Sequence, residues 1–516
     1  MKILICTFGN TAHYACRIFY ALLKDISDAR LVFFNGKWNQ DTENFISEYM
    51  RTESPDLVAV SLLTFELGLC KELSKTIRRL SPSGKTKIIF GGPYIFCAPE
   101  TCFDVADFVC TGEGEYTLLG LCDQFKKTKR WEDVNLKNIP NLLYRLDGKV
   151  CKSGIQDFYY SHQFIDALPF PAYGIDGIHV YDGINWVGDT EIYRDYYFAF
   201  ASRGCPNSCS YCVNSIRPIK KVTHRSPEKI VEEIALIKDK FPRLKRICFA
   251  DEVFCCQSKW TADFSRLYKE RIALPFECDS FPGMHPESVI KTLAETGLKK
   301  VNIGVQSCSK RILKEVFARP QKTEHIINDN KVYLKYGVMP TYDFIIDNPF
   351  ESPDEFRETL EIVRQLERPL FFRVYSLFFF PYHALTVKAE LMGLYRKANG
   401  EKDFYDKLTT THTGDQCCQK EWYTKPLRTI LRGDQKAALN WILIFYGNAT
   451  IPKKLADLAF AGHKRGSWFL TVLLAYFYLS INSIYALREK VRITSDAYKR
   501  HGFVPTVKHI AKKICR

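Results

Sequence analysis

The sequence predicts an α/β protein in which two parallel-sheet units follow one another and a mostly helical stretch closes the chain. Three observations carry this. Over residues 1–125, short continuous apolar runs alternate with helix-like stretches, as expected of strands covered on both faces in a doubly wound sheet. From Tyr197 to Glu390, strand and helix signals alternate again. Six such units in about 190 residues fit a full or partial barrel of parallel strands. Residues 396–516 read as mostly helical.

In the first unit, strands are expected at Lys2–Phe8, Leu31–Phe34, Asp56–Leu63, Lys87–Phe90 and Phe108–Cys110, with helices such as Glu66–Leu80 between them. Three strands run into turn-forming residues: Phe8-Gly9-Asn10, Gly91-Gly92-Pro93 and Thr111-Gly112-Glu113-Gly114-Glu115. In an open parallel sheet a ligand binds beyond the carboxyl ends of the strands. Glycine there lets the backbone approach it closely. Residues 126–194, punctuated by Pro140, Asp147-Gly148 and Leu168-Pro169-Phe170-Pro171, read as a linker with one hairpin. In the second unit, residues 195–395, strands are expected at Phe198–Ser202, Arg246–Ala250, Phe276–Ser280, Lys300–Val305, Thr341–Ile346 and Phe371–Phe379. A helix is expected over Pro227–Lys240, with proline in its first turn as a start signal.

The chain is basic, with a formal net charge of +15. No arginine-rich tract or zinc-finger spacing accompanies that charge, so nucleic acid is not an expected partner. Nineteen cysteines are present. The N-terminal run Met1–Cys6 is too short for a signal-peptide core, so the expected setting is a reducing cytoplasm. There, clustered cysteines more often bind metal or do redox chemistry than form disulfides.

The sharpest feature is Arg203-Gly204-Cys205-Pro206-Asn207-Ser208-Cys209-Ser210-Tyr211-Cys212, just after the first strand of the second unit. Its spacing is C-x-x-x-C-x-x-C. Three thiolates this close can hold three irons of a cubane cluster and leave the fourth open to a substrate or cofactor. The alternatives are a zinc site or three buried thiols. A structural zinc site wants four ligands, and no second ligand pair stands near by.

On this motif, with its aromatic Tyr211 before the last cysteine, residues 197–390 resemble the radical S-adenosylmethionine superfamily. The resemblance implies one 4Fe-4S cluster on Cys205, Cys209 and Cys212. S-adenosylmethionine would chelate the open iron and be cleaved by one electron to a 5'-deoxyadenosyl radical. It also implies an electron donor such as flavodoxin or ferredoxin. Phe249-Ala250-Asp251-Glu252 is similar to the family's acidic pair at a strand end. Asn302-Ile303-Gly304-Val305-Gln306-Ser307 is similar to the strand that passes the adenosine, with Gln306 where the family often has Glu. The implied S-adenosylmethionine contacts are therefore Tyr211, Asp251, Glu252, Gly304 and Gln306. Asp343–Pro349 resembles a late strand usually written Gly-x-Pro, with Asp347-Asn348 here instead.

Residues 1–125 resemble the Rossmann-like cobalamin domain that precedes the barrel in class B, methyltransferase-like members. The contacts implied are Ser61, Leu62, Thr64, Gly91, Gly92, Gly112 and Glu113. A generic Rossmann-like domain with no ligand or another nucleotide is the alternative. His13 stands near the place of a cobalt-ligating histidine, but the surrounding Asp and Gly of that motif are absent. Cobalt without a protein histidine is the favoured expectation.

The run 466–486 has no charged residue, and Arg488 to Arg516 holds nine Lys/Arg and two acids. Two readings stand: a buried helix over the barrel mouth, or peripheral membrane contact through 466–516. Only Cys417, Cys418 and Cys515 follow Cys308, so a single cluster is expected. The function expected from all this is a cobalamin-dependent radical methyltransferase acting on an unactivated carbon of a small molecule, lipid or natural-product intermediate. The alternatives are a non-methylating radical enzyme performing cyclisation, ring contraction or oxidation, and a cobalamin or cluster sensor.

Overall fold

The computed structural model describes residues 1–10, 13–154, 161–189, 195–216, 221–254, 258–380, 382–394, 435–447 and 451–464, with Thr471 and Leu474. Its first unit is a nine-stranded sheet in the order β7-β6-β5-β4-β3-β1-β2-β8-β9. The five central strands are β1 (Lys2–Thr7), β2 (Asp28–Phe33), β3 (Leu57–Ser61), β4 (Lys87–Gly91) and β5 (Phe108–Cys110), all parallel. Helices α1 (Tyr14–Leu23), α2 (Gln40–Thr52), α3 (Leu67–Leu80), the single turn α4 (Tyr94–Cys97) and α5 (Gly114–Thr128) connect and cover them. Side chains alternate across the sheet. Leu4, Cys6, Val58 and Val60 pack with Ile46, Leu73 and Ile77 of α2 and α3. Ile3, Ile5, Leu57 and Ala59 pack with Tyr20, Leu23 and Leu121 of α1 and α5. Burial on both faces is why these strands read as unbroken apolar runs.

The stretch 126–194, expected to be a linker, instead supplies both edges of this sheet through its described residues. Hairpin β6 (Leu142–Leu146) and β7 (Lys149–Lys152) adds antiparallel to β5. After α6 (His162–Ala167), β8 (Ile178–Tyr181) lies parallel to β2, and β9 (Trp186–Gly188) folds back on β8. The buried Arg17 of α1 clamps this second edge. Its guanidinium makes two hydrogen bonds to Asp189, at 2.7 and 3.0 Å, and one to the Ala172 carbonyl at 2.8 Å. It also lies 4.0 Å over the Tyr173 ring.

The second unit is a six-stranded parallel sheet in the order β10-β13-β14-β15-β16-β17. Its strands are β10 (Tyr196–Ala199), β13 (Arg246–Phe249), β14 (Phe276–Ser280), β15 (Leu298–Gln306), β16 (Met339–Ile346) and β17 (Phe371–Ser376). A small ribbon of β11 (Ser202–Arg203) and β12 (Thr223–His224) stands apart. Helices α7 (Pro227–Lys240), α8 (Ser258–Arg271), α9 (Glu287–Thr296), α10 (Thr323–Lys335) and α11 (Pro353–Val363) follow successive strands, and α12 (Ala384–Leu391) follows β17. Among the described residues β10 and β17 do not pair, so the barrel is partial.

Two helices of the C-terminal region are described, α13 (Gln435–Gly447) and α14 (Lys453–Lys464). Trp441, Ile442 and Phe460 from them join the barrel's own apolar core. Asn440 donates to Asp347 at 2.9 Å, tying α13 to the end of β16. Among the described residues no helix is long and apolar enough to cross a membrane. Apart from Thr471 and Leu474, the uncharged run 466–486 and the basic stretch after it lie outside the described residues, as do Cys417, Cys418 and Cys515.

Candidate active site between the two units

A cavity of about 490 Å³ opens where the carboxyl ends of β1, β3, β4 and β5 face the second unit. That is the usual place for a ligand on such a sheet. Ile5, Ala59, Ile89 and Leu118 form its apolar floor, and Gly91, Gly92, Gly112 and Gly114 its rim. The far wall comes from Phe200, Ser202, Arg203, Ala250 and Glu252. The cavity therefore ends against the segment that leads directly into Cys205.

Two polar joints hold the units in this register. Arg203 donates through Nη1 to Glu113 and through Nη2 to Glu115 at 2.7 Å, so the arginine before the cysteine loop grips the β5–α5 turn. Deeper in, Glu233 of α7 accepts from Tyr14 at 2.8 Å, Arg225 at 2.8 Å and Tyr197 at 2.7 Å. Burial and the opposed charges make this a satisfied network, costly to break from either side.

The cysteine loop starts at Gly204, whose φ is +95°. An added Cβ there would lie 2.0 Å from the Lys221 carbonyl oxygen, so only glycine fits. Cys209 is buried, and Cys205 and Cys212 are half-buried. Burial first, and then the nearby Cys212 and Cys209, push the Cys205 thiol above its ordinary range. Among the described residues no set of three His, Cys, Asp or Glu groups is already drawn to metal-ligand distances. The three thiols do share one short loop, and Cys209 stands beside a cation. Arg319 donates Nη1 to Cys209 Sγ at 3.4 Å and to the Tyr211 hydroxyl at 3.0 Å. A partly buried group of three thiols with a guanidinium against one of them fits an anionic iron–sulfur group.

The residues implied as S-adenosylmethionine contacts separate into two kinds. Glu252 is exposed, lines the cavity and accepts the Gly204 N–H at 3.0 Å. Asp251 turns inward: it accepts Ser202 Oγ at 2.5 Å and the Ala201 N–H at 3.2 Å, and burial raises its pKa to about 7. It pins the segment before the cysteine loop. Tyr211 stacks edge-on against Phe317 at 4.9 Å. Gly304 gives its carbonyl to Arg319, and a Cβ there would sit 3.2 Å from Arg319 Nη2 and 2.9 Å from Gln306 Nε2. Gln306 ends β15 at φ +69°, where the register with β16 shifts.

Of the residues implied for cobalamin, Ser61, Gly91, Gly92, Gly112 and Glu113 line the cavity. Leu62 points into the apolar core and Thr64 is buried in the turn below, so neither reaches the cavity. His13 lines it, with Nε2 3.4 Å from Ser61 Oγ, and burial lowers its pKa to about 4, leaving a neutral ring. A Cβ on Gly91 would meet only Cys110 Cβ, at 3.7 Å, so Gly91 leaves open a space that a side chain could fill. An apolar floor edged by glycines, with open space over Gly91, fits a large flat ring system. Arg203, Glu115 and Arg319 are further contacts beyond those the motifs imply. Arg203 at least adjoins the motif, whereas Arg319 carries no sequence signal.

Glu66 supports the cavity wall from behind, accepting the N–H of Leu63 at 2.8 Å. Burial raises its pKa to about 7. From roughly pH 4.5 to 7 the unfolded chain loses this proton while the folded protein keeps it, so stability falls as pH rises through that window. A Glu66→Gln variant lacks this slope and gains on the order of 3 kcal/mol over the parent by neutral pH. Denaturant titrations at several pH values check this; parallel curves for the two proteins would contradict it.

The Radical SAM superfamily model matches residues 200–363. The chain carries a radical SAM domain. It coincides with the cysteine loop and the six-stranded sheet from Phe200 to the end of α11. Across more of the chain, an uncharacterized methyltransferase of Pyrococcus horikoshii is 25% identical over 353 residues, 67% of this chain and 72% of that protein. A cytidylyl-2-hydroxyethylphosphonate methyltransferase of Streptomyces wedmorensis is 23% identical, covering 55% of this chain and 57% of its own length. Among solved structures, the radical S-adenosylmethionine methyltransferase TsrM of Kitasatospora setae superposes with a TM-score of 0.62 at 18% identity, over 77% of this chain and 79% of TsrM. The cobalamin-dependent radical enzyme OxsB superposes with a TM-score of 0.60 at 18% identity, over 79% of this chain and 56% of OxsB. The radical SAM domain and the unit before it therefore share the fold of cobalamin-dependent radical enzymes.

Proposed function

We propose that this radical SAM enzyme is a cobalamin-dependent methyltransferase acting on an unactivated carbon of a small molecule, lipid or natural-product intermediate. One observation carries the reading: a single cavity is walled on one side by the glycine-rimmed strand ends and on the other by the segment that delivers Cys205. Two cofactors held on those walls would share one cleft. Cys205, Cys209 and Cys212 hold the cluster in this reading, and Ser61, Gly91, Gly92, Gly112 and Glu113 cradle the corrin. Glu252, Tyr211, Gly304 and Gln306 form the S-adenosylmethionine side. When bound, these groups supply a transferable methyl and a hydrogen-abstracting radical; the protein supplies orientation and shielding. TsrM has been solved with cobalamin and a [4Fe-4S] cluster, and OxsB with aqua-cobalamin and S-adenosylmethionine, on this same fold.

The test is anaerobic preparation with cobalamin, followed by incubation with S-adenosylmethionine, reductant and a metabolite pool, with mass analysis of what gains a methyl group. Methyl transfer yields both S-adenosylhomocysteine and 5'-deoxyadenosine. Deoxyadenosine without S-adenosylhomocysteine would remove methylation and leave cyclisation, ring contraction or oxidation.

A further inference from the structure

Away from the cavity, a groove of about 580 Å³ is lined by Lys310, Lys314, Arg319, Lys322 and Glu324. The three lysines are exposed, while Arg319 is buried. The wall of this groove is a single π-helical turn, Ile312–Val316, an unusual local geometry often found at functional sites. That turn is bonded directly to the cysteine loop. Ser210 donates its N–H to the Phe317 carbonyl at 2.9 Å and its hydroxyl to the Val316 carbonyl at 2.5 Å. Arg319 completes the link, reaching from the groove to Cys209 Sγ at 3.4 Å. An object seated on the lysines is thus separated from a cluster ligand by one side chain. The cavity side of the same loop carries Glu113, Glu115 and Glu252 against the single cation Arg203, with no lysine in its lining. Charge therefore selects the groove as the face that an acidic partner approaches.

We propose that this groove is the docking surface for an acidic one-electron donor protein of the flavodoxin class. The inference rests on the cluster assignment above. In the step it serves, one electron leaves the donor's reduced flavin and enters the cluster on Cys205, Cys209 and Cys212. No covalent bond forms or breaks between the two proteins.

The experiment compares the parent holoenzyme with Lys310→Glu/Lys314→Glu/Lys322→Glu, measuring 5'-deoxyadenosine formation with two reductants. One arm uses purified reduced flavodoxin, the other titanium(III) citrate. With flavodoxin the triple variant loses about tenfold in kcat/KM, and the parent's sensitivity to added salt disappears. With titanium citrate the two proteins run within about twofold of each other and show the same iron–sulfur absorption, as expected for changes that alter only long-range attraction. Equal rates with flavodoxin would overturn the docking assignment, as would equal losses in both arms. A parent protein without iron–sulfur absorption, inactive with titanium citrate, would instead overturn the cluster assignment and this inference with it.

Discussion

Replacement of Cys205, Cys209 or Cys212 by alanine, singly, removes the visible iron–sulfur absorption of anaerobically prepared protein and lowers S-adenosylmethionine cleavage by about 10³-fold or more, equivalent to about 4 kcal/mol of barrier. Three thiolates are the minimum that holds a cubane with one iron open, so each is indispensable to the assembled group. Cys308 is the control. It lies in the barrel core, its thiol raised by burial, with its N–H bonded to Thr359 at 2.9 Å. Cys308→Ala leaves the absorption intact and costs only the stability of a small buried apolar group, about 1–2 kcal/mol. Iron–sulfur absorption surviving in the triple alanine variant would end the assignment.

Filling the glycine cradle separates cofactor binding from folding. Gly91→Leu weakens cobalamin binding by about 100-fold or more, close to 3 kcal/mol, because the new side chain occupies ligand space. Its folding cost is small, because Gly91 has a negative φ and an added Cβ makes only an ordinary contact there. Thermal stability and the cluster spectrum therefore stay near those of the parent. The neighbouring position behaves differently. Gly92 has φ +101°, and a Cβ would come 2.7 Å from the Leu62 carbonyl oxygen, so Gly92→Leu destabilises the fold itself. Absorbance titration with cobalamin reads the first effect. Parent-level affinity in Gly91→Leu would mean that the corrin does not lie over this rim.

Both expectations depend on how the two units meet, and that joint is made by residues distant in sequence. Arg203 grips Glu113 and Glu115, about 90 positions earlier, and Tyr14 meets Glu233 across 219. The same holds for the sheet edges. Ile178 and Val180 have ordinary strand character, but β8 is short and its partner β2 lies far upstream, so the punctuated stretch reads as a linker in the sequence. Leu62 shows the finer limit. A one-residue step along a strand end moves a side chain from the cavity to the core, and the motif alone does not reveal which residue takes which side. Asp251 and Glu252 divide in the same way, one inward and one toward the cavity.

By itself the sequence determined the two parallel-sheet units, because strands buried on both faces must be continuously apolar. It also determined the three-thiol loop, because that chemistry is written in adjacent residues. Tertiary structure alone decided that the two units face each other across one cavity, that Arg319 stands on Cys209 with a lysine-lined groove behind it, and which glycines are open and which are locked. Those relations come from long-range packing and hydrogen bonding, where a residue's role depends on its distant neighbours.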